Sequence, residues 1–239
     1  MEMTYLEKIR WRKENDRNPL FTVYCDKAES RKLVPKEYLL PYEVKEVGEA
    51  WEINRPIVVK HNASSGRNII LPAGGSNKDI PSSWFKTKYG VNKGEWGYAG
   101  ARECLLVEDL LCDFPDVYRF ECFSGKCEAI SIYEYEPFIS KPDVKAITTY
   151  RARDKKLLEV QWRARKVGRA PLDKRTDEMI ALAEKLASDI DYVRVDLMTS
   201  RRGVFFSELT PYPMSGVGPL TEWFDKWMGS LWKLPEVNK

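Results

Sequence analysis

A single histidine, His61, stands among 239 residues. Any site built on imidazole would have to use that one side chain, so Ser-His-Asp, Cys-His and histidine-ligated metal chemistry are disfavoured from the start. The five cysteines, Cys25, Cys104, Cys112, Cys122 and Cys127, are odd in number and never spaced Cys-x-x-Cys. They predict neither a disulfide framework nor a zinc site; three lie in apolar strand-like runs, and the set reads as buried free thiols. No stretch approaches the ~18 uninterrupted apolar residues of a membrane span, and the opening lacks a signal peptide's apolar core. No transmembrane segment and a cytoplasmic location are therefore expected. Charge is also weak: 39 Lys and Arg against 36 Asp and Glu give a formal +3, which lends nucleic-acid binding no support.

What is present suits an ordinary protein of one large domain or two small ones, with 43% hydrophobic and 31% charged residues. Its chemistry has to rest on Lys, Arg, Asp and Glu, the residue types that hold phosphates and magnesium. The most informative stretch is YVRVDLMTSRRGVFFSELTPYPMSG, from Tyr192 to Gly216. Two alternating runs flank a turn at Ser200 to Gly203, which predicts a β-hairpin. Counted from that turn, Asp196 and Glu208 fall on neighbouring rungs, where their carboxylates can converge. Arg194, two residues from Asp196, shares its face. Converging carboxylates on strands suit a Mg2+ site that handles phosphate, or else are two solvated charges on a sheet face.

Upstream, Thr4 to Arg17 predicts an amphipathic helix with a strongly basic remainder. Asp26 is placed as the N-cap of a second helix, in which Lys27 and Arg31 share a face that is most simply solvated. Pro56 to Lys60 and Asn68 to Leu71 read as strands joined by the small-residue loop His61 to Gly66. Such a flap can cover phosphates with backbone N–H groups, or be a plain hairpin tip. It is not a Walker A loop, since no Gly-Lys-Ser/Thr follows. Ile80 to Tyr89 is expected to be a helix and Gly90 to Gly100 a loop. Cys104 to Val107 is a fully apolar strand ending at Glu108, either a surface cap or a group that can hold a ribose hydroxyl. Val117 to Phe123 and Cys127 to Tyr133 predict a hairpin carrying Arg119, and Ile147 to Gln161 another strand pair. Thr176 to Ile190 and the segment from Thr221 predict helices, the second with its aromatics in a core or interface.

In order along the chain, EKIRWRKENDRNPLF, DKAESRKLV, PIVVKHNASSG, LLVEDLL, YRFECFSGK, YVRVDL and VFFSELTPYPMSG resemble the TupA-like ATP-grasp family, which is associated with bacterial surface-polysaccharide clusters. The resemblance implies an α+β ATP-grasp fold whose two α+β subdomains grip ATP. It implies a reduced N-terminal region over 1–55, a small lid subdomain over 56–107 and a large subdomain over 108–239. Lys27 and Lys60 would contact the nucleotide phosphates, and Asn62, Ser64, Ser65 and Gly66 belong to the loop that covers them. Glu108 matches the hinge acid near the ribose, with the backbone at Val107 toward adenine; Arg119 and Arg151 complete the nucleotide set. Arg194 resembles the arginine beside the transferred phosphoryl group, acting with Lys60. Asp196 and Glu208 look like the Mg2+ ligands, two ions being implied, with Thr210 where many ATP-grasp ligases have asparagine. The family's Asp-Tyr-Lys is here Val117-Tyr118-Arg119.

The activity so implied is carboxylate–amine ligation through an acylphosphate, joining a small-molecule or glycan carboxylate to an amine with ADP and phosphate released. The alternatives are a sugar kinase and a non-catalytic nucleotide- or glycan-binding module. A homodimer, or a partner supplying the missing N-terminal subdomain, is the expected assembly.

Overall fold

A computed structural model describes residues 2–111, 113, 116–135, 144–163 and 165–236. In chain order its main elements are α1 (Tyr5–Asn15), α2 (Leu20–Cys25), α3 (Lys27–Arg31), β1 (Tyr42–Lys45), β2 (Ile57–His61), β3 (Asn68–Leu71), α4 (Trp96–Gly100) and β4 (Leu105–Asp109). There follow β5 (Asp116–Phe123), β6 (Lys126–Tyr135), β7 (Val144–Arg151), β8 (Lys156–Leu158), β9 (Lys166–Val167), α5 (Thr176–Leu186), β10 (Tyr192–Ser200), β11 (Gly203–Thr210) and α6 (Glu222–Leu231). The chain folds as two compact units, one of Pro19–Asp113 and one of Met1–Asn18 with Phe114–Lys239. The stretch 1–55, expected to form one N-terminal region, is thus divided: α1 joins the unit of Phe114–Lys239, and the rest joins β2, β3 and β4.

The Pro19–Asp113 unit holds an antiparallel sheet in the order β1-β4-β2-β3. Alternation in β2 turns Ile57 and Val59 inward, where they meet Ile53, Leu71, Trp84, Leu105 and Val107. Each such fully buried aliphatic side chain contributes about 1.5–3 kcal/mol relative to exposure. Asp26 caps α3, its Oδ1 accepting from the backbone N of Ala28 and Glu29 at 3.0 and 2.9 Å. The expected helix over 80–89 is only a 3-10 turn at Ser82–Phe85, which sets Trp84 into the core of this sheet. The segment expected as loop contains α4, whose Gly97 and Gly100 lie where a Cβ would come within 2.9 Å of Phe21 and Thr22 atoms of α2. Small residues there allow two short helices to pack that periodicity alone does not reveal.

The other unit carries a sheet in the order β11-β10-β5-β6-β7-β8, with β9 paired to β7. The hairpins expected at 117–133 and 192–210, and the strand pair after Ile147, are all present. Strand β10 is buried along both faces: Val193, Val195 and Leu197 form an apolar one, while Tyr192, Arg194 and Asp196 alternate onto the other. Helix α5 lies against β5, β6 and β10 and turns Met179, Leu182, Ala183 and Leu186 inward. Helix α1 begins with a capping box between Thr4 and Glu7 and brings Tyr5 onto Tyr192, Phe123 and Trp232. In α6, Phe224 and Met228 are buried as expected, whereas Trp223 is 47% exposed. Cys25, Cys104, Cys122 and Cys127 are free and buried; Cys112 lies outside the described residues.

Candidate functional site

The β10–β11 ladder starts at Ser200 opposite Gly203 and pairs evenly as far as Leu197 opposite Phe206. There it slips by one residue, so Asp196 faces Glu208, and Ser207 is the extra residue of a β-bulge. Even pairing would set Glu208 against Val195 and turn its carboxylate to the apolar face. The bulge re-aims it beside Asp196. The two acids therefore share one rung, not the adjacent rungs that counting from the turn predicts.

Two neighbouring rows cross three strands. In one, Thr210 of β11, Arg194 of β10 and Glu121 of β5 face each other; in the next, Glu208, Asp196 and Arg119 do so. Opposite charges alternate along β10 and β5 and across them. Arg194 grips Asp196 with two bonds, Nε to Oδ1 and Nη2 to Oδ2, both 2.6 Å. Its Nη2 also donates to Thr210 Oγ1 at 3.1 Å and lies 3.6 Å from Glu208 Oε1. Arg119 approaches Asp196 Oδ2 to 3.4 Å while its guanidinium stacks 3.7 Å over the Tyr133 ring.

Burial pushes the Asp196 carboxyl up from its ordinary value against the pull of Arg194 and Arg119, and both of its oxygens accept from the bidentate fork. Glu121 is 1% exposed, and its Oε2 accepts from the hydroxyls of Tyr5 and Tyr192. Burial raises that carboxyl too, with Arg194 and Tyr192 opposing. Both tyrosines are held well above their ordinary range by burial and by Glu121, so they stay protonated donors.

The Pro19–Asp113 unit gathers a second set of expected residues. Glu108, 2% exposed, accepts from Lys60 Nζ through Oε2 at 2.6 Å and from Arg31 Nε through Oε1 at 3.0 Å. Burial would raise its carboxyl, but Lys60 and Arg31 more than offset this and hold it below the ordinary value. Arg31 in turn donates to the Lys27 carbonyl at 2.7 Å, and Lys27 Nζ donates to the carbonyls of Asn62 and Ser64. Lys27, Lys60, Glu108, Asn62 and Ser64 are thus one connected cluster. Lys27 and Arg31, read as a solvated pair, are 6% and 1% exposed.

Within the expected phosphate loop, Asn62 and Ser64 are fully buried. The Asn62 side chain is spent on Ala28 N at 2.9 Å and the Arg102 carbonyl at 2.8 Å. Ser65 is half-buried and Gly66, at φ +74°, is exposed, so the accessible tip of the flap is Ser65–Gly66. Val107 sits in β4 between β1 and β2, its side chain in the core and its backbone inside the ladders. Arg151 is not brought to the Asp196 group. It lies three strands from Arg194 on the same cross-sheet row, about 14 Å at ordinary strand spacing, and its guanidinium is held by Asp154. His61 is 1% exposed against Phe85 and Trp84, and burial, with Arg67 and Lys27, lowers its pKa to about 4. It is a neutral core residue.

Sequence reading missed three groups of residues. Arg31 is the second cation on Glu108, and Glu121 is the acid beside Arg194. The third is the basic side of α1: Arg12 donates to the carbonyls of Tyr192 and Pro211 at 2.8 and 3.1 Å, Arg10 to Gly216 at 2.5 Å, and Lys13 to Ser215 at 2.9 Å. These cations hold the ends of β10 and β11 and the turn at Pro213–Gly216, where Met214 and Ser215 take left-handed φ values of 53° and 58°. The signal available was their helical spacing, which marks one face but not its partners.

As a donor set, Asp196, Glu208 and Thr210 offer hard oxygens on rigid strands, which fits Mg2+ completed by substrate oxygens. Among the described residues no group of three or more His, Cys, Asp or Glu side chains clusters to hold a metal unaided. Among them, too, no helix is long and apolar enough to cross a membrane.

Against known proteins, the family model described as TupA-like ATPgrasp matches residues 7–233. No curated protein matches the chain in sequence. Among solved structures, an L-amino acid ligase from Bacillus licheniformis is 12% identical with a TM-score of 0.50, over 87% of this chain and 46% of that one. D-alanine–D-alanine ligase from Bacillus anthracis is 17% identical, TM-score 0.45, over 79% and 56%. The Helicobacter pylori enzyme of that name is 14% identical, TM-score 0.47, over 89% and 62%. This chain therefore spans between 46% and 62% of the length of those ligases, and the likeness to the L-amino acid ligase is one of fold alone.

Proposed function

Because this chain belongs to the TupA-like ATP-grasp family and has the ATP-grasp fold, we propose that it is an ATP-dependent carboxylate–amine ligase. The observation that carries the reading is the rung on which Asp196 meets Glu208 with Arg194 on the adjacent row. In the reaction, a carboxylate oxygen attacks the γ-phosphorus of ATP and ADP leaves. The amine nitrogen then attacks the acyl carbon, phosphate leaves, and the amine gives up a proton. Phosphoryl transfer asks for charge neutralisation and positioning more than for a covalent nucleophile, which suits a chain with one buried, neutral histidine.

Asp196 and Glu208 would hold Mg2+, two ions in this reading, with Thr210 at the edge of the set; the metal's contribution is to offset charge on the phosphates. Arg194 is assigned to the transferring phosphoryl group. In the other unit, Lys60 and the Ser65–Gly66 tip are assigned to nucleotide phosphates, with Glu108 and Arg31 fixing Lys60. The family's surface-polysaccharide association favours a uronic-acid carboxylate and an amino acid or amino sugar as the amine, in the cytoplasm.

The test is ADP release across uronic acids, nucleotide-linked uronic acids and amino acids, with products read by mass. An amide product, and a hydroxamate when hydroxylamine replaces the amine, support the ligase. A phosphosugar without hydroxamate identifies a kinase, and no Mg-ATP binding at all identifies a non-catalytic module.

A further inference from the structure

If Asp196 holds the metal, as proposed above, the ion meets a competitor there. Both carboxylate oxygens of Asp196 are already met by a cation of the chain itself. Arg194 takes Oδ1 and Oδ2 at 2.6 Å each, and the same guanidinium donates to Thr210 Oγ1 at 3.1 Å and stands 3.6 Å from Glu208 Oε1. One planar fork therefore touches all three side chains assigned to the metal. A magnesium ion requires its ligand oxygens at about 2.0–2.1 Å. The fork takes one lone pair on each Asp196 oxygen, so an ion reaching for the remaining ones meets the Arg194 charge beside them and, at Oδ2, Arg119 at 3.4 Å as well.

We propose that Arg194 is a tethered counter-cation that occupies the metal ligands in the nucleotide-free chain and competes with the divalent ion for Asp196. Asp196 is 3% and Arg194 7% exposed, so neither charge can fall back on water when the pair opens. An ion that draws the carboxylate away from the guanidinium therefore leaves the guanidinium in need of another anion. A phosphate brought with the metal is such an anion, and it is the group Arg194 is assigned to serve. Metal and phosphate thus tighten each other's binding, and a bare cation is held only weakly. The device needs arginine's two parallel N–H donors. A lysine keeps the charge but presents a point donor that cannot close on both oxygens.

The experiment titrates nucleotide-free full-length protein with Mn2+, following free Mn2+ by electron paramagnetic resonance, in the wild type, Arg194→Lys and Asp196→Asn. Competition by the fork predicts Mn2+ binding about tenfold tighter in Arg194→Lys, the equivalent of one charge-assisted hydrogen bond, and lost in Asp196→Asn. Equal or weaker binding by Arg194→Lys, with Asp196→Asn still defective, overturns the counter-cation and leaves the metal reading standing. Unchanged binding in Asp196→Asn overturns both. Should Arg194→Lys fail to fold, the wild type decides. Its Arg194 Nε–H resonance is expected to resist exchange with solvent until Mg2+ and a phosphate ligand are added together. Loss of that protection with Mg2+ alone, or with neither, contradicts the proposal.

Discussion

Replacing Glu108 by glutamine removes one negative charge from a place where two cations depend on it. Lys60 and Arg31 both bond to this carboxylate, at 2.6 and 3.0 Å, and the side chains of Glu108 and Arg31 are 2% and 0% exposed. Removing one member of a buried ion pair costs about 3–5 kcal/mol, because the partners stay behind uncompensated. The glutamine oxygen still accepts from Arg31, so the lower end, about 3 kcal/mol, is expected. In a chain of this size that lowers Tm by roughly 6–12 °C.

Thermal and urea unfolding, followed by circular dichroism, measure it. Adding Lys60→Met to Glu108→Gln removes one stranded cation and is expected to restore about half of the loss. The pH dependence supplies a second reading. The folded carboxyl lies below its ordinary 4.5, so its contribution is complete above that value and is lost as pH falls through the depressed one. The gap between wild type and Glu108→Gln should therefore stay constant from pH 8 to pH 5 and narrow only in more acidic solution. A shift under about 2 °C, or a gap that closes between pH 7 and pH 5, refutes the reasoning.

Deleting Ser207 removes the bulge, turns Glu208 toward the apolar face beside Val195, and is expected to abolish Mg2+-dependent nucleotide binding and cost several kcal/mol; Ser207→Ala, which keeps the bulge, should change neither. His61, lowered to about 4 from 6.5, contributes stability that is present above pH 6.5 and is lost as pH falls toward 4. Glu103 lies 3.7 Å from Nε2 but is 43% exposed, too solvated to hold the imidazolium. Unfolding curves of His61→Phe should therefore lose this acid sensitivity between pH 6.5 and 4, and an unchanged pH profile would show that the sensitivity arises elsewhere. Lys13→Met frees the Ser215 carbonyl from its Nζ donor and should speed amide exchange at Met214 to Gly216, whose left-handed φ values then lack their clamp. Exchange no faster than in the wild type would mean that the turn holds itself.

Local pattern was enough for the strands that carry the acids, because period-two alternation around Ser200 to Gly203 leaves little other choice. It could not supply the bulge, since nothing in Phe206-Ser207-Glu208 distinguishes an extra residue from an ordinary rung. Seven ordered motifs pointed to the family that the family model matches over residues 7–233. What stayed hidden was tertiary. Arg31, Glu121 and the cations of α1 look like surface charges in the sequence, and only the folded chain gives them carbonyls and carboxylates to meet. Asn62 and Ser64 read as an exposed loop for the same reason: their polarity is satisfied internally by Ala28, Arg102 and Lys27. The short helices α2 and α4 lack the length for a periodic signal and exist because they pack on one another.

If Asp196 and Glu208 on their shared rung hold the metal that engages a nucleotide's phosphates, Mg2+ and ADP bind as a pair that depends on both acids. Calorimetric titration of ADP into wild type and Glu208→Gln, each with and without Mg2+, tests it directly. Mg2+ is expected to tighten ADP binding by the wild type at least about tenfold, as loss of a metal ligand or its support typically does in reverse, while Glu208→Gln binds ADP equally in either condition. An undiminished Mg2+ effect in folded Glu208→Gln would contradict the claim.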